Sequence, residues 1–213
     1  YLGFNTPLEN SFFNPKVKRS TIKDVRAKYP KNVMILGTIG RLIKLNNIDY
    51  LQSIISVMQK NDAVIYLACG GGDKIPIENF IKQIDKSMLS RFYFTGHINP
   101  HEYGHIIDIW PDTFPFNQGN SKIEAGLKGC AIVIKQKAED NRLPNEERIT
   151  LLNKYKIRNL FPLKETVNYS KFILKLVNNK KLRKEWSCHQ QKAYEQGYLK
   201  NTNGDIFTLL NEL

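Results

Sequence analysis

Apolar runs closed by glycine alternate with helix-patterned segments along most of the chain. This alternation constrains the fold more than any other feature. NVMILGTIG (32–40) and AVIYLACGGG (63–72) read as buried strands, and RFYFTG (91–96) as a third strand. Between the first two lies IDYLQSIISVMQ (48–59), with apolar residues at helical spacing: Ile48, Leu51, Ile54, Ile55 and Met58. PIENFIKQIDKSML (76–89) reads as a second helix. HEYGHII is a helical turn, IDIWPDT a short strand, 120–128 a helix and CAIVI (130–134) a strand. Residues 1–20 look irregular, and a short polar helix (20–29) stops before Pro30. Further on, 143–155 is patterned as a helix and 159–162 as a last short strand. Two or three helices cover 165–213. Strands alternating with helices through short turns imply βαβ units and a parallel sheet. We therefore expect an α/β protein: a doubly wound parallel sheet with C-terminal helices. Its parts would be an entry segment and first helix (1–30), the sheet domain (31–165) and helices packing on it (166–213).

Charge narrows the partners. Lys and Arg number 32 against 20 acids, a net charge of +12 that favours anions: phosphorylated metabolites, nucleic acid or an anionic membrane surface. Much of the excess lies in KFILKLVNNKKLRKEW (171–186), which also reads as a solvated helix face. The chain shows no RNP-type aromatic motif, zinc finger or helix-turn-helix, so nucleic acid is not the expected partner. Cys69, Cys130 and Cys188 have neither disulfide nor zinc-ligand spacing, and reduced thiols fit a cytoplasmic protein. No apolar run approaches the roughly 20 residues that span a bilayer. The chain opens on YLGFNTPLEN without a Met, so we expect a piece of a longer protein.

In a doubly wound sheet the ligand lies beyond the carboxyl ends of the strands. Those ends are TIGRLIK (38–44), CGGGDK (69–74), TGHINP (95–100) and DTFPFNQGNS (112–121). NQGNSKIEAG stands in front of and inside a helix start, where unpaired N–H groups attract phosphate. Gly119 lets backbone approach a ligand, Asn120 and Ser121 add donors, and Glu124 can accept from ribose hydroxyls. The same spacing also fits an ordinary cap, with Asn120 or Ser121 capping and Glu124 as capping-box partner. Arg41 and Lys44 stand three apart, so one helical turn places both at the sheet edge as a diphosphate clamp; two cations among 32 also arise by chance. CGGGDK lacks the order of a phosphate loop or dinucleotide turn. His97, His101 and His105 share a loop, but Pro100 and Gly104 interrupt the helix that a metal pair would need. His97 lies just past a strand end, placed either to touch a base or sugar or to be a plain loop residue. No nucleophilic triad or carboxylate pair stands out, which suits a site that binds an activated donor and stabilises its leaving group.

In this order the pieces resemble the C-terminal, nucleotide-sugar-binding domain of GT-B-fold glycosyltransferases. GRL follows the first strand, FTGHINP follows the third, and then come a Gly-containing loop, an acid in the next helix and G-x-x-x-V (129–133). The tail from 150 to 186 looks like the closing segment of such domains. PDTFPFNQGNSKIEAGLKGCAIV is most similar to the O-linked N-acetylglucosamine transferases and the related bacterial adhesin-glycosylating enzymes. The sequence departs from them in having Asn120 and Ser121 where threonines stand, and Gly129-Cys130-Ala131 without a Pro. The retaining enzymes of the same fold place a Lys where this chain has Asn46, and an acid where it has Asn117.

The resemblance implies the Rossmann-like half of a GT-B fold and a UDP-sugar donor with no obligatory cofactor. Lys44 would be the catalytic cation on the diphosphate, with Arg41 beside it. Asn120 and Ser121 would bind the diphosphate, Glu124 the ribose, and backbone from His97 to Asn99 the base. The acceptor, a protein or glycan, would be held by an N-terminal domain outside this chain, and the enzyme would be cytoplasmic, with possible peripheral contact to an anionic inner membrane. The competing expectations are a basic, non-catalytic binding module and a scaffold whose donor site is inactive.

Overall fold

The computed structural model describes residues 14–115, 118–135 and 168–195. Five parallel strands form one sheet: β1 (Met34–Ile39), β2 (Val64–Cys69), β3 (Phe92–Gly96), β4 (Ile109–Pro111) and β5 (Ala131–Val133). Their spatial order is β3-β2-β1-β4-β5. The chain winds outward from β1 through β2 to β3, returns to lay β4 on the other side of β1, and then adds β5. That reversal opens a crevice at the carboxyl ends of β1 and β4.

Helices cover both faces, which is why the strands read as continuous apolar runs rather than alternating ones. All six residues of β2 are buried. Val64, Tyr66 and Ala68 join one core with α2 (Ile48–Lys60), α3 (Ile75–Gln83) and α6 (Tyr169–Asn178). Ile65, Leu67 and Cys69 join the other core. There they meet α1 (Arg19–Ala27), α4 (Pro100–Tyr103), α5 (Asn120–Leu127) and α7 (Lys180–Tyr194). Val25 of the first helix lies in the second core.

The helix expected over 76–89 is shorter than its pattern. It ends at Gln83, Ile84 and Asp85 turn extended, and a 3-10 segment, Lys86–Arg91, runs directly into β3. The chain must reverse direction before Phe92, and a helix continued to 89 leaves no residues for the reversal. Arg91 fixes the turn by donating from Nη1 to the carbonyls of Met58, Asn61 and Val64, at 2.8, 3.1 and 3.3 Å. The segments expected over 143–155 and 159–162 lie outside the described residues, as does the chain beyond α7.

β5 comes last in the order of the described strands, and its backbone groups need partners. The amide of Gln190, on α7, accepts from Ile132 N at 2.8 Å and donates to Ile132 O at 2.7 Å. Helix α7 therefore supplies partners to the β5 backbone beside which α5 is carried.

Buried hydroxyls tie the carboxyl ends together. Thr38 Oγ1 and Tyr66 OH are 3.2 Å apart, and Tyr66 OH lies 3.0 Å from Tyr50 OH. Tyr50 OH donates to Pro111 O at 3.0 Å, and Tyr169 OH donates to Asp112 O at 2.9 Å. Burial pushes the Tyr66 phenol up to about 12 and Tyr50 and Tyr169 well upward, so all three stay protonated donors at neutral pH. The backbone that launches the loop after β4 is thereby held from two helices.

Candidate functional site

The floor of the site is backbone. Gly40 N donates to Cys69 O at 2.9 Å, Leu42 N to Gly71 O at 3.1 Å and Gly70 N to Gly96 O at 2.8 Å. The turns after β1, β2 and β3 are laced to one another. Gly70 has φ +138°, and a Cβ there would run into Gly40 O. A Cβ on Gly71 would collide with the imidazole of His97. The CGGG stretch is therefore more than a turn: it allows neighbouring loops to lie in contact. Together with Arg41 and Ile98 these residues line an open cleft of about 460 Å³.

Arg41 and Lys44 occupy one 3-10 turn. Arg41 precedes the segment Leu42–Leu45, and Lys44 N donates back to Arg41 O at 3.1 Å. Arg41 is exposed and Lys44 half-buried. Burial, then the Arg41 charge, lowers the Lys44 ammonium below its usual range; Asp112 opposes that shift and Lys122 adds to it. Lys44 thus lies within electrostatic reach of a carboxylate and an ammonium carried by the next loop.

That loop is built around Asp112, which is 1% exposed. Its Oδ1 accepts from Gln118 N at 3.0 Å and from Trp110 Nε1 at 3.4 Å. Its Oδ2 takes Lys122 Nζ at 3.1 Å. The Gln118 side chain packs against Gly40, closing the crevice between β1 and β4. Gln118 is 5% exposed, and its Oε1 is buried without a hydrogen-bond partner.

The helix start differs from the capped one that spacing allowed. Gly119, at φ +59° and ψ −128°, occupies the cap position and has no side chain to cap with. Asn120 becomes the first helical residue, and no acid stands in the first turn. The capping-box alternative for Glu124 is therefore overturned: with Gly119 as the cap, the helix begins two residues too early for a box from Ser121 to Glu124. The first-turn amides of α5 have no carbonyl of their own helix ahead of them.

Glu124 is half-buried and burial raises its carboxyl, which Lys128 partly offsets. The Lys128 stem crosses Gly104, and its charge, after burial, lowers His101 and His105. The charge acting on Glu124 is thus that of Lys128, whose stem lies on Gly104 after α4, rather than that of the Arg41–Lys44 pair. His97 is exposed and lies over Gly71. Asn99 is committed to α4, accepting from His101 N at 3.1 Å and donating to Glu102 Oε1 at 2.9 Å. Only its place in the loop, and not its side chain, can serve a ligand without undoing that cap. Among the described residues no group of three His, Cys, Asp or Glu side chains is gathered to hold a metal, and no helix is long and apolar enough to cross a membrane.

The structure thus brings Arg41, Lys44 and the start of α5 to one crevice, with His97 on its β3 side and Glu124 further along α5. Sequence reading did not single out Asp112, Gln118 and Lys122. The available signal was an acid directly after a strand, followed by a glycine turn and a cation on the first turn of a helix.

No protein-family model matches the chain, and no curated protein matches it in sequence. Solved structures do match. HepE of Anabaena, in complex with UDP and glucose, superposes with a TM-score of 0.73 at 16% identity, over 99% of this chain and 56% of that one. The C-terminal domain of the Francisella tularensis glycosyl transferase group 1 family protein LpcC gives 0.63 at 16% identity, over 91% of this chain and 100% of that one. A mutant O-GlcNAc transferase of Thermobaculum terrenum gives 0.63 at 12% identity, over 85% and 35%. The likeness is one of fold: this chain has the architecture of a Rossmann-like GT-B domain, and it spans little more than half the length of HepE.

Proposed function

We propose that this chain is the donor-binding half of a glycosyltransferase: it holds a UDP-sugar at the β1/β4 crevice, while a second domain holds the acceptor. The observation behind this reading is the meeting of Arg41, Lys44 and the amino end of α5 at the topological switch point of the sheet. The clamp and the helix start would take the diphosphate, with Asn120 and Ser121 adding donors. Glu124 would take the ribose hydroxyls, and the His97–Asn99 loop would face the base. As the sugar departs, charge grows on the diphosphate, and the fixed cations stabilise it without an obligatory metal. The segment from Asp112 to Glu124 favours the branch that glycosylates proteins.

Titration of the 213-residue chain with UDP, followed by calorimetry or NMR, tests the reading. Saturable binding supports it, and a folded sample that ignores millimolar UDP overturns it. A basic module that merely collects polyanions would bind any of them with steep salt dependence and be indifferent to Glu124.

Lys44 makes this reading pH-dependent. Its ammonium is lowered in the ligand-free chain, and a bound diphosphate would raise it again. UDP binding is then accompanied by proton uptake at alkaline pH, between the lowered range of the free chain and the higher range of the complex. Calorimetry in buffers of different ionisation enthalpy reads the uptake, which Lys44→Met removes. Equal uptake by both proteins would exclude Lys44 from the diphosphate.

Glu124→Ala is expected to weaken UDP about 10- to 100-fold, the worth of charge-assisted hydrogen bonds. A dideoxyribose analogue of UDP, lacking both hydroxyls, should bind the variant and the parent chain alike. Loss of affinity for both ligands would show that Glu124 acts on the structure rather than the ribose.

A further inference from the structure

The diphosphate clamp read from the sequence contains two cations, both on the loop after β1. The structure places a third ammonium beside them, on another element. Lys122 lies in the first turn of α5, and its side chain is 14% exposed. Its Nζ is held 3.1 Å from Asp112 Oδ2. Asp112 is itself immobilised: it is 1% exposed, and its other oxygen accepts from Gln118 N and Trp110 Nε1. A lysine side chain is ordinarily a mobile point charge. Here the ion pair converts it to a fixed one at the crevice.

We propose that Lys122 is a diphosphate ligand of the donor site, positioned by Asp112 and acting together with Arg41 and Lys44. This inference rests on the donor-binding reading above.

Three arguments favour it over a purely structural ion pair. First, one carboxylate does not balance the group. Arg41, Lys44 and Lys122 bring three positive charges and Asp112 one negative, a surplus of two. The diphosphate of a nucleotide sugar carries one negative charge on each phosphate and matches that surplus. Second, the cations repel one another in the ligand-free chain, and the repulsion is visible at Lys44, where both Arg41 and Lys122 disfavour the ammonium. A bound dianion would relieve it. Third, Gln118, which donates from its backbone to the same Asp112, leaves a buried Oε1 without a partner next to Gly40. An orphaned carbonyl oxygen is an acceptor, so it independently marks the crevice as a place for a polar ligand with an N–H or O–H to donate, such as a sugar or ribose hydroxyl beside the phosphates. An ammonium has three N–H donors, and the Asp112 contact uses one, so ion pair and phosphate are compatible.

The test is a titration of the 213-residue chain, Lys122→Met and Lys122→Arg with UDP and with uridine. The methionine variant is expected to lose about 10- to 100-fold in UDP affinity, the range for one charge-assisted hydrogen bond. Its uridine affinity should not change, its UDP binding should depend less steeply on salt, and the arginine variant should recover most of the loss. UDP binding equal to that of the parent chain would overturn the inference and leave the donor reading intact. A parent chain that binds no UDP overturns the donor reading itself, and this inference with it. Should the methionine variant not fold, nitrogen-labelled lysine in the parent chain decides. The Lys122 side-chain resonance must shift with UDP and not with uridine, and a resonance indifferent to both sinks the assignment.

Discussion

Asp112→Ala is expected to be the most damaging polar substitution in the domain, lowering stability by about 3–5 kcal/mol. The carboxylate is 1% exposed and serves three partners: Lys122 Nζ, Gln118 N and Trp110 Nε1. Its removal leaves a mostly covered ammonium without a counter-charge and a buried amide and indole N–H without an acceptor. An orphaned buried cation costs far more than the net worth of the pair that held it, because the desolvation already incurred is no longer offset. Asp112→Asn separates the contributions. It keeps an oxygen for Gln118 N and Trp110 Nε1 but still leaves Lys122 without a counter-charge, so its cost should lie only about 1–2 kcal/mol below that of alanine, the worth of the retained hydrogen bonds. Urea denaturation of the three proteins measures both steps. If alanine and asparagine shift the midpoint equally, the hydrogen bonds contribute nothing and the ion pair everything. If neither shifts it, Asp112 does not organise the loop.

Gly70→Val is the second large effect. At φ +138° the backbone is in a region that side chains rarely adopt, and a Cβ there would strike the carbonyl of Gly40. The obstacle is backbone, so no rotamer relieves it. Strain of this kind costs about 1–3 kcal/mol, and overpacking adds a similar amount. The turns after β1 and β2 must separate, breaking the contact between Gly40 N and Cys69 O. We expect a loss of about 3 kcal/mol in urea denaturation, with Arg41 and Lys44 displaced from the crevice and UDP binding lost. Gly72→Ala is the control: it too has a positive φ, but a Cβ there meets nothing, so any strain is local. A valine at position 70 that unfolds and binds like the parent would show that the two turns are not in obligatory contact.

Local chemistry made much of this legible. Buried strands have a composition of their own, so NVMILGTIG and AVIYLACGGG were recognisable without knowing their neighbours, and RFYFTG was recognisable as a strand although β3 is only partly buried. The Arg41–Lys44 spacing was equally local, because one turn of backbone decides whether the two meet. The errors came where a local pattern had competitors. Residues 76–89 keep helical spacing throughout, yet the reversal into β3 ends the helix at Gln83. At α5 the side chains suited to capping are Asn120 and Ser121, but the chain turns at Gly119, two residues before the Ser121 cap that would put Glu124 in a capping box.

The sequence alone determined that the chain would be an α/β sheet protein and which strand ends would carry its functional loops, because burial on both faces and glycine at the turns are properties of single segments. Only the tertiary structure decided which loops face each other. Strand order β3-β2-β1-β4-β5 sets β4 beside β1, and so brings Gln118 onto Gly40 and the Asp112–Lys122 pair within reach of Lys44. No periodicity encodes that adjacency, since it depends on where a distant strand finds its pairing edge. The diphosphate cradle proposed here is therefore half a matter of spacing and half of sheet topology.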